Sequence, residues 1–441
     1  MGNEKIAPTY HSGSITAVLF VAIMVTFAPR SSAQTYRVLH TFTGGADGAS
    51  PASLLSLDAG GNLYGTTFAG GDSLCVNRSI TNPCGTVFEL THKGSSWAFG
   101  TLYEFSGTNG DGAGPAHNGV VFGPDGALFG TTTYGGSEPG QNGNGTVFRL
   151  MPQATFCRAV SCPWRETVLY RFQAGSDGMY PEGNVLFDEA GNLYGVTFQG
   201  GGSGNCSAGC GAVYKLSPSS GGWTETIAYG FSGPPNGDNP DDSLIMDNAG
   251  DLYGTTVSGG SSGIYGEAFE LKASGSGWTE NHLHDFQGGD DGASPVASLI
   301  FDGIGNLYGD SYLDGYLHGQ GGAGTVFELM PSGGGWSYST LVAFNGGAGV
   351  PGRLVMDGAG SLYGTTAGSG RYNLGSVFRL TPSDGGWTLT DLYDFTGGSD
   401  GEVPYNGLAL DANGNLYGTT WQGGGCSLAS YGCGVVFEIT P

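Results

Sequence analysis

One short stretch, written seven times, limits what this chain can become. A Leu-aromatic-Gly core stands at Leu63-Tyr64-Gly65, Leu128-Phe129-Gly130, Leu193-Tyr194-Gly195, Leu252-Tyr253-Gly254, Leu307-Tyr308-Gly309, Leu362-Tyr363-Gly364 and Leu416-Tyr417-Gly418. Successive copies lie 65, 65, 59, 55, 55 and 54 residues apart. Such a period marks a repeat architecture, in which each unit is too small to bury its own apolar face and packs on its neighbours. The 441 residues would suggest two or three domains on length alone. Seven like units spanning the chain predict one closed body instead.

Each unit reads as four short strands. In the second they are Val120 to Phe122, Ala127 to Thr133, Thr146 to Leu150 and Thr167 to Phe172. The first two are joined by a tight turn. An Asp stands five residues before the repeat Leu in six units (Asp58, Asp188, Asp247, Asp302, Asp357, Asp411), and a Gly two residues before it in all seven. An Asp that caps a turn and a Gly free to take positive φ are what a hairpin needs, so this Asp reads as structural. Gly is 87 of 441 residues and falls at fixed offsets, which argues for many turns between strands and against disorder. β-Branched and aromatic residues crowd both faces of the third and fourth strands, as in sheets covered on both sides.

The chain ends settle the closure. Tyr36 to Phe42 matches the fourth strand of the other units, while the last unit stops after its third strand at Pro441. The N-terminal strand is therefore the missing fourth strand of the last unit. Closing a ring in this way removes open sheet edges. The expected fold is all-β: a seven-bladed β-propeller over residues 34–441 with four strands per blade.

At Gly-Asn-Leu-Tyr-Gly-Thr-Thr, the Gly-Gly that follows in most copies, and Gly-Thr-Val-Phe-Glu-Leu, the sequence resembles the GloVer tandem-repeat family across residues 34–441. More distantly it is similar to the propeller repeats of two-component sensor ectodomains. The resemblance implies an exported repeat protein, often fixed to the envelope by a C-terminal anchor. It brings no catalytic residues that can be carried over.

Residues 1–33 read as a secretory signal peptide: Lys5, an apolar run from Ile15 to Ala28, and small residues at Ser31-Ser32-Ala33 before a cut at Gln34. No other stretch is apolar enough for a membrane span, and the chain ends on the repeat, so the expected location is secreted or periplasmic. Without Glu4, Lys5 and Arg30 the mature chain carries 37 acids and 12 bases, a net charge of −25. That excludes nucleic acid and anionic membrane surfaces as natural partners and permits cations or basic groups. The eight cysteines fall into four close pairs, Cys75/Cys84, Cys157/Cys162, Cys206/Cys210 and Cys426/Cys433. With an export signal these read as local disulfides that staple loops.

Function is sought where the copies differ. The loop from the fourth strand to the next first strand carries Asp47, Asp111, Asp177, Asp291 and Asp400 four residues before its Pro. A ring of carboxylates near the channel mouth is a candidate site for Ca2+ or a basic group; an Asx-type turn is the alternative. Five residues after the repeat Leu stand Phe68, Thr133, Phe198, Val257, Tyr312, Ala367 and Trp421. The aromatic members, Trp421 above all, would stack on a sugar or an apolar group; variable packing between blades is the alternative. The fifth unit departs most, with Asp310 and Asp314 marking a site or simple drift. His282-x-His284 points two rings to one face of a strand without an evident third ligand. No nucleophile elbow or phosphate loop is present. The leading expectation is a monomeric, non-enzymatic propeller without an obligatory cofactor. It binds a glycan or an envelope protein at the loop face. The alternative is an extracellular hydrolase or lyase, Ca2+-dependent in one version, acting at the channel mouth.

Overall fold

Seven antiparallel sheets follow one another along the chain, each built in the order first, second, third, fourth strand. A computed structural model describes residues 1, 34–51, 53–71, 84–115, 119–137, 143–152, 164–202, 204, 206–275, 277–313, 322–345, 349, 352–426 and 432–441. The chain divides at Ala33, and everything below concerns the unit Gln34–Pro441; the expected signal peptide lies outside the described residues, Met1 apart. Blade 1 runs Ser56–Leu57, Leu63–Thr67, Thr86–Lys93 and Ser96–Glu104. Blade 4 runs Ile245–Met246, Leu252–Thr256, Glu267–Ser274 and Gly277–Asp285. Blade 7 has Ala409–Leu410, Leu416–Thr420 and Val435–Thr440, and its fourth strand is Thr35–Thr41 from the other end of the chain. Thr35 pairs with Thr440 and Thr41 with Val435, so both termini close the ring as the repeat register predicts. No described helix is long and apolar enough to cross a membrane.

The repeat motif builds the frame by close packing. In Leu63-Tyr64-Gly65 the Leu is fully buried. A Cβ on Gly65 would lie 2.6 Å from the Phe88 ring and 2.8 Å from Leu55, so only Gly lets the ring lie flat on the strand. Tyr64 turns its hydroxyl toward Glu89, 3.0 Å away, and toward the turn residue Asp58. Asp58 accepts from the backbone of Gly60 and Asn62 at 2.8 Å each, which confirms its role in the hairpin. Each seam between blades holds a separate apolar cluster. One joins blades 7 and 1 through Phe42, Leu63, Phe88, Tyr417 and Val436, so the closing seam is as apolar as the rest. Fourth-strand tryptophans pack edge-on against the repeat Tyr of the preceding blade: Trp278 on Tyr194, Trp336 on Tyr253, Trp387 on Tyr308.

First strands are only two residues long in most blades and lie innermost. Those of blades 1, 5, 6 and 7 line a cavity of about 430 Å³, with Leu57, Phe301, Val355 and Leu410 among its walls and Arg353 at its edge.

Candidate functional site

The loops entering the first strands share one backbone geometry. The residue before the loop Pro lies in the left-handed region in six blades: Ser50, Gly114, Tyr180, Asn239, Ser294 and Val403, with φ between 52° and 59°. Its N–H donates to a carbonyl of the preceding blade, as Ser50 does to Cys433 and Val403 to Leu374. Its carbonyl accepts from the residue five after the repeat Leu, as Ser50 does from Phe68, Ser294 from Tyr312 and Val403 from Trp421. The strap thus fixes two sets of side chains at the channel mouth. One set follows the second strand; the other follows the loop Pro and starts the first strand.

These two sets make an aromatic arc and an acidic wall. Phe68 and Trp421 lie 5.5 Å apart, ring to ring, and Trp421 lies 6.1 Å from Tyr405, the residue after Pro404. Tyr405 in turn interacts with Tyr312, and burial, then Tyr312 and Asp241, push its hydroxyl up to about 12. Three of the four aromatic residues expected at this position are brought together, around a fourth ring that the repeat motif does not mark. Phe198 sits apart, its carbonyl accepting from Asn239 Nδ2 at 2.8 Å.

The acidic wall comes from blades 3, 4 and 5. Glu182 and Asp241 each follow a loop Pro, and Asp242 is next in line. Thr133 Oγ1 donates to Glu182 Oε1 at 3.2 Å, while Glu182 Oε2 is buried without a hydrogen-bond partner. Asp242 takes Ser243 Oγ at 3.0 Å on one oxygen and the backbone N–H of Ser298, in blade 5, on the other. Asp310 is fully buried and neither of its carboxylate oxygens has a partner. Burial comes first among the causes that raise all four acids. Asp242 adds to the shift of Asp241, which reaches about 7, and of Asp310; Asp241 adds to that of Glu182. Arg353 is the cation that interacts with Asp242 here, and its own burial lowers its pKa. Ionising Glu182, Asp241 or Asp310 carries a burial cost that a proton or a cationic ligand group would relieve.

Other expected residues sit elsewhere. Asp47, Asp111, Asp177, Asp291 and Asp400 do not gather at the channel. Each caps its own loop, accepting from the backbone N–H of Thr43, Ser106, Gln173, Gln287 and Thr396 respectively. His40, Tyr170, His284 and Tyr393 of the fourth strands, the outermost in each blade, hold four of them from the side. The Asx-type turn accounts for their spacing, because in each of these five blades the loop takes an acceptor at that point. His282 and His284 do not converge either. A bulge lies between them; His284 stacks on Tyr338 at 3.9 Å, while His282 Nδ1 lies 2.7 Å from Glu267 Oε2.

Disulfides join Cys206 to Cys210 and Cys426 to Cys433. Cys84 is disulfide-bonded too; Cys75, Cys157 and Cys162 lie outside the described residues, as does Asp314. Cys84, Cys210 and Cys433 occupy one position, two residues before the third strand, where the carbonyl receives the strap bond from the next blade.

Glu182, Asp241, Asp242, Arg353 and Tyr405 are absent from the sequence reading. The signal was there: the residues just after the loop Pro (Ala52, Ala116, Glu182, Asp241, Val296, Gly352 and Tyr405) vary between blades, as the residues after the second strand do.

The sequence profile of the Gloeobacter/Verrucomicrobia repeat matches residues 25–206, 138–321 and 312–441. Among curated proteins no sequence matches the chain. A fungal alcohol oxidase solved with copper is 16% identical with a TM-score of 0.56, covering 93% of this chain and 77% of its own. A putative 6-phosphogluconolactonase from Bacteroides uniformis is 14% identical with a TM-score of 0.47, covering 77% and 83%. At such identity the likeness to the oxidase speaks to the fold alone.

Proposed function

The chain belongs to the Gloeobacter/Verrucomicrobia repeat family, and from that membership we propose an exported binding propeller that takes a glycan at the mouth of its channel. Export is supported by the N-terminal apolar run and by the disulfides, which persist in oxidising compartments. The observation that carries the ligand class is the joining of Phe68, Trp421, Tyr405 and Tyr312 into one arc beside a carboxylate wall. Rings offer rigid apolar faces for the C–H side of a sugar, and carboxylates accept from its hydroxyls. The mouth is also held by straps from each described blade, as binding loops on rigid frames are.

A second reading rests on one observation. Burial and then Asp242 push Asp241 up to about 7; burial raises Asp242 as well, against the hydrogen bonds and Arg353 that favour its ionised form. Neighbouring buried acids, one of them able to hold a proton near neutral pH, are what a glycoside hydrolase or lyase uses. A Ca2+-dependent version would respond to chelator.

A polysaccharide panel separates these readings when binding and product release are followed together. Binding without product, weakened about tenfold by Trp421→Ala, supports the glycan receptor. New reducing ends or unsaturated products, lost in Asp241→Asn, replace it with the enzyme. Retention of an envelope protein but of no polysaccharide would overturn the glycan class.

A further inference from the structure

Blade 4 departs from its siblings at a second place, away from the aromatic arc. Where the other blades place Thr86, Thr146, Ala212, Thr325, Ser376 and Val435 opposite the end of the second strand, blade 4 has Glu267. Its side chain is fully buried, and its Oε1 accepts from the backbone N–H of Gly237 at 2.7 Å. Its other oxygen, Oε2, is buried without a satisfied hydrogen bond and faces His282 Nδ1 at 2.7 Å. Asp285 Oδ1 lies 3.1 Å from the same nitrogen. One ligand atom from each of Glu267, His282 and Asp285 falls within 4.8 Å of the other two.

We propose that Glu267, His282 and Asp285 form a site for a borderline divalent cation, zinc or cobalt in class, that pins the third and fourth strands of blade 4. The donor set is one imidazole nitrogen and two carboxylate oxygens. That set suits Zn2+ or Co2+ and is too poor in oxygens for Ca2+. Two atoms each about 2.1 Å from a tetrahedral centre lie about 3.4 Å apart, so the observed gaps of 2.7 and 3.1 Å need to open by only tenths of an ångström. His282 and Asp285 keep part of their surface exposed, which leaves an open side for a water ligand and a path for the ion. Outer partners hold the ligands. Gly237 fixes Glu267, Ser261 bonds Asp285, and Glu280 Oε2 stands 3.9 Å from His282 Nε2 while accepting from Tyr229 at 2.7 Å.

The strand register shows why only this blade qualifies among the described ones. Opposite the third strand, the positions of His282 and Asp285 are filled by Thr101 and Glu104 in blade 1, Val168 and Arg171 in blade 2, and Ile227 and Gly230 in blade 3. Blade 6 carries Asp391 and Asp394 there but has Ser376 in place of the glutamate. The alternative is a protonated histidine bridging two carboxylates, and the test must tell the two apart.

The experiment uses the full chain, stripped with chelator and titrated with Zn2+ and Co2+. One equivalent of Co2+ should bind with visible absorption of a low-coordinate, nitrogen-containing site. Saturating Zn2+ should raise Tm by a few degrees, reversibly on adding chelator. His282→Gln should abolish the absorption and the Tm rise, while Asp391→Asn, at the matching place in blade 6, should leave both intact. Should either substitution fail to fold, Glu267→Gln replaces it with the same expectation as His282→Gln. No stoichiometric binding, or binding that survives His282→Gln, overturns the site and leaves an ion-paired histidine. The result is independent of the glycan reading, since the three ligands lie on the third and fourth strands of blade 4 and belong to neither the aromatic arc nor the acidic wall.

Discussion

Asp310 stands where five blades carry a threonine: Thr66, Thr131, Thr255, Thr365 and Thr419. That hydroxyl ties neighbouring blades together, for Thr131 donates to Gly183, Thr255 to Ala297, Thr365 to Asn406 and Thr419 to Ser53. A carboxylate at this place cannot donate and is fully buried, so it is held toward its protonated form. The sign of the pH effect follows. Asp310, Glu182 and Asp241 all bind protons more tightly folded than unfolded, so their contribution is fully present below the ordinary carboxylate range. It is lost as pH rises through about 4 and on to about 7, the value Asp241 reaches. Asp310→Thr should restore the inter-blade bond, stabilise the protein by about 1–3 kcal/mol at pH 7.5, and flatten the fall of Tm between pH 5 and 7.5. Equal Tm values for the two proteins at pH 7.5 would show that Asp310 carries no such cost.

At the scale of the element, the loop strap carries both the site and a measurable strain. Val403 is β-branched yet sits at φ 55°, where a side chain crowds its own backbone. Blade 4 shows the relaxed solution: Asn239 takes the same conformation at φ 56° and donates through its amide to the Phe198 carbonyl. Val403→Asn should therefore raise stability by about 1 kcal/mol, with Ala367 offering the matching carbonyl; a lowered Tm would mean that the valine's packing outweighs the strain. The strap also explains what the sequence could and could not reveal. The aromatic position after the second strand was legible because a constant frame made its variation visible. Glu182, Asp241 and Asp242 were hidden by a composition of 38 acids, in which any one carboxylate looks like solvated surface. Burial beside a channel separates them from the rest, and burial there depends on seven loops converging across the whole chain. For Asp47, Asp111, Asp177, Asp291 and Asp400 the regular spacing suggested a shared ligand, whereas each of the five hydrogen-bonds within its own turn.

The whole molecule stands or falls on one strand. Because the period and the split last unit are written in the chain, the closed ring was the most legible feature of all, and the pairing of Thr35–Thr41 with Val435–Thr440 bears it out. That strand does more than add hydrogen bonds. Tyr36 stacks on Tyr393 at 3.9 Å and lies near Phe395 and Phe437, so it packs blade 7 onto blade 6. Leu39 packs into the cluster that joins blade 7 to blade 1. Removing residues 34–41 would uncover the edge of Val435–Thr440 and loosen two of the seams at once. An exposed, apolar edge strand invites pairing with another chain. The expected outcome for a chain beginning at Phe42 is a Tm lowered by ten degrees or more, on the order of several kcal/mol, together with concentration-dependent association. A synthetic peptide with the sequence of residues 34–42 should reverse both by adding the strand back to the edge. Full stability without the strand would mean that the ring holds through its five untouched seams and that closure by the N-terminus is dispensable. Because the aromatic arc joins residues of blades 1, 5 and 7, a ring loosened at blade 7 should also lose ligand binding before it loses its strands.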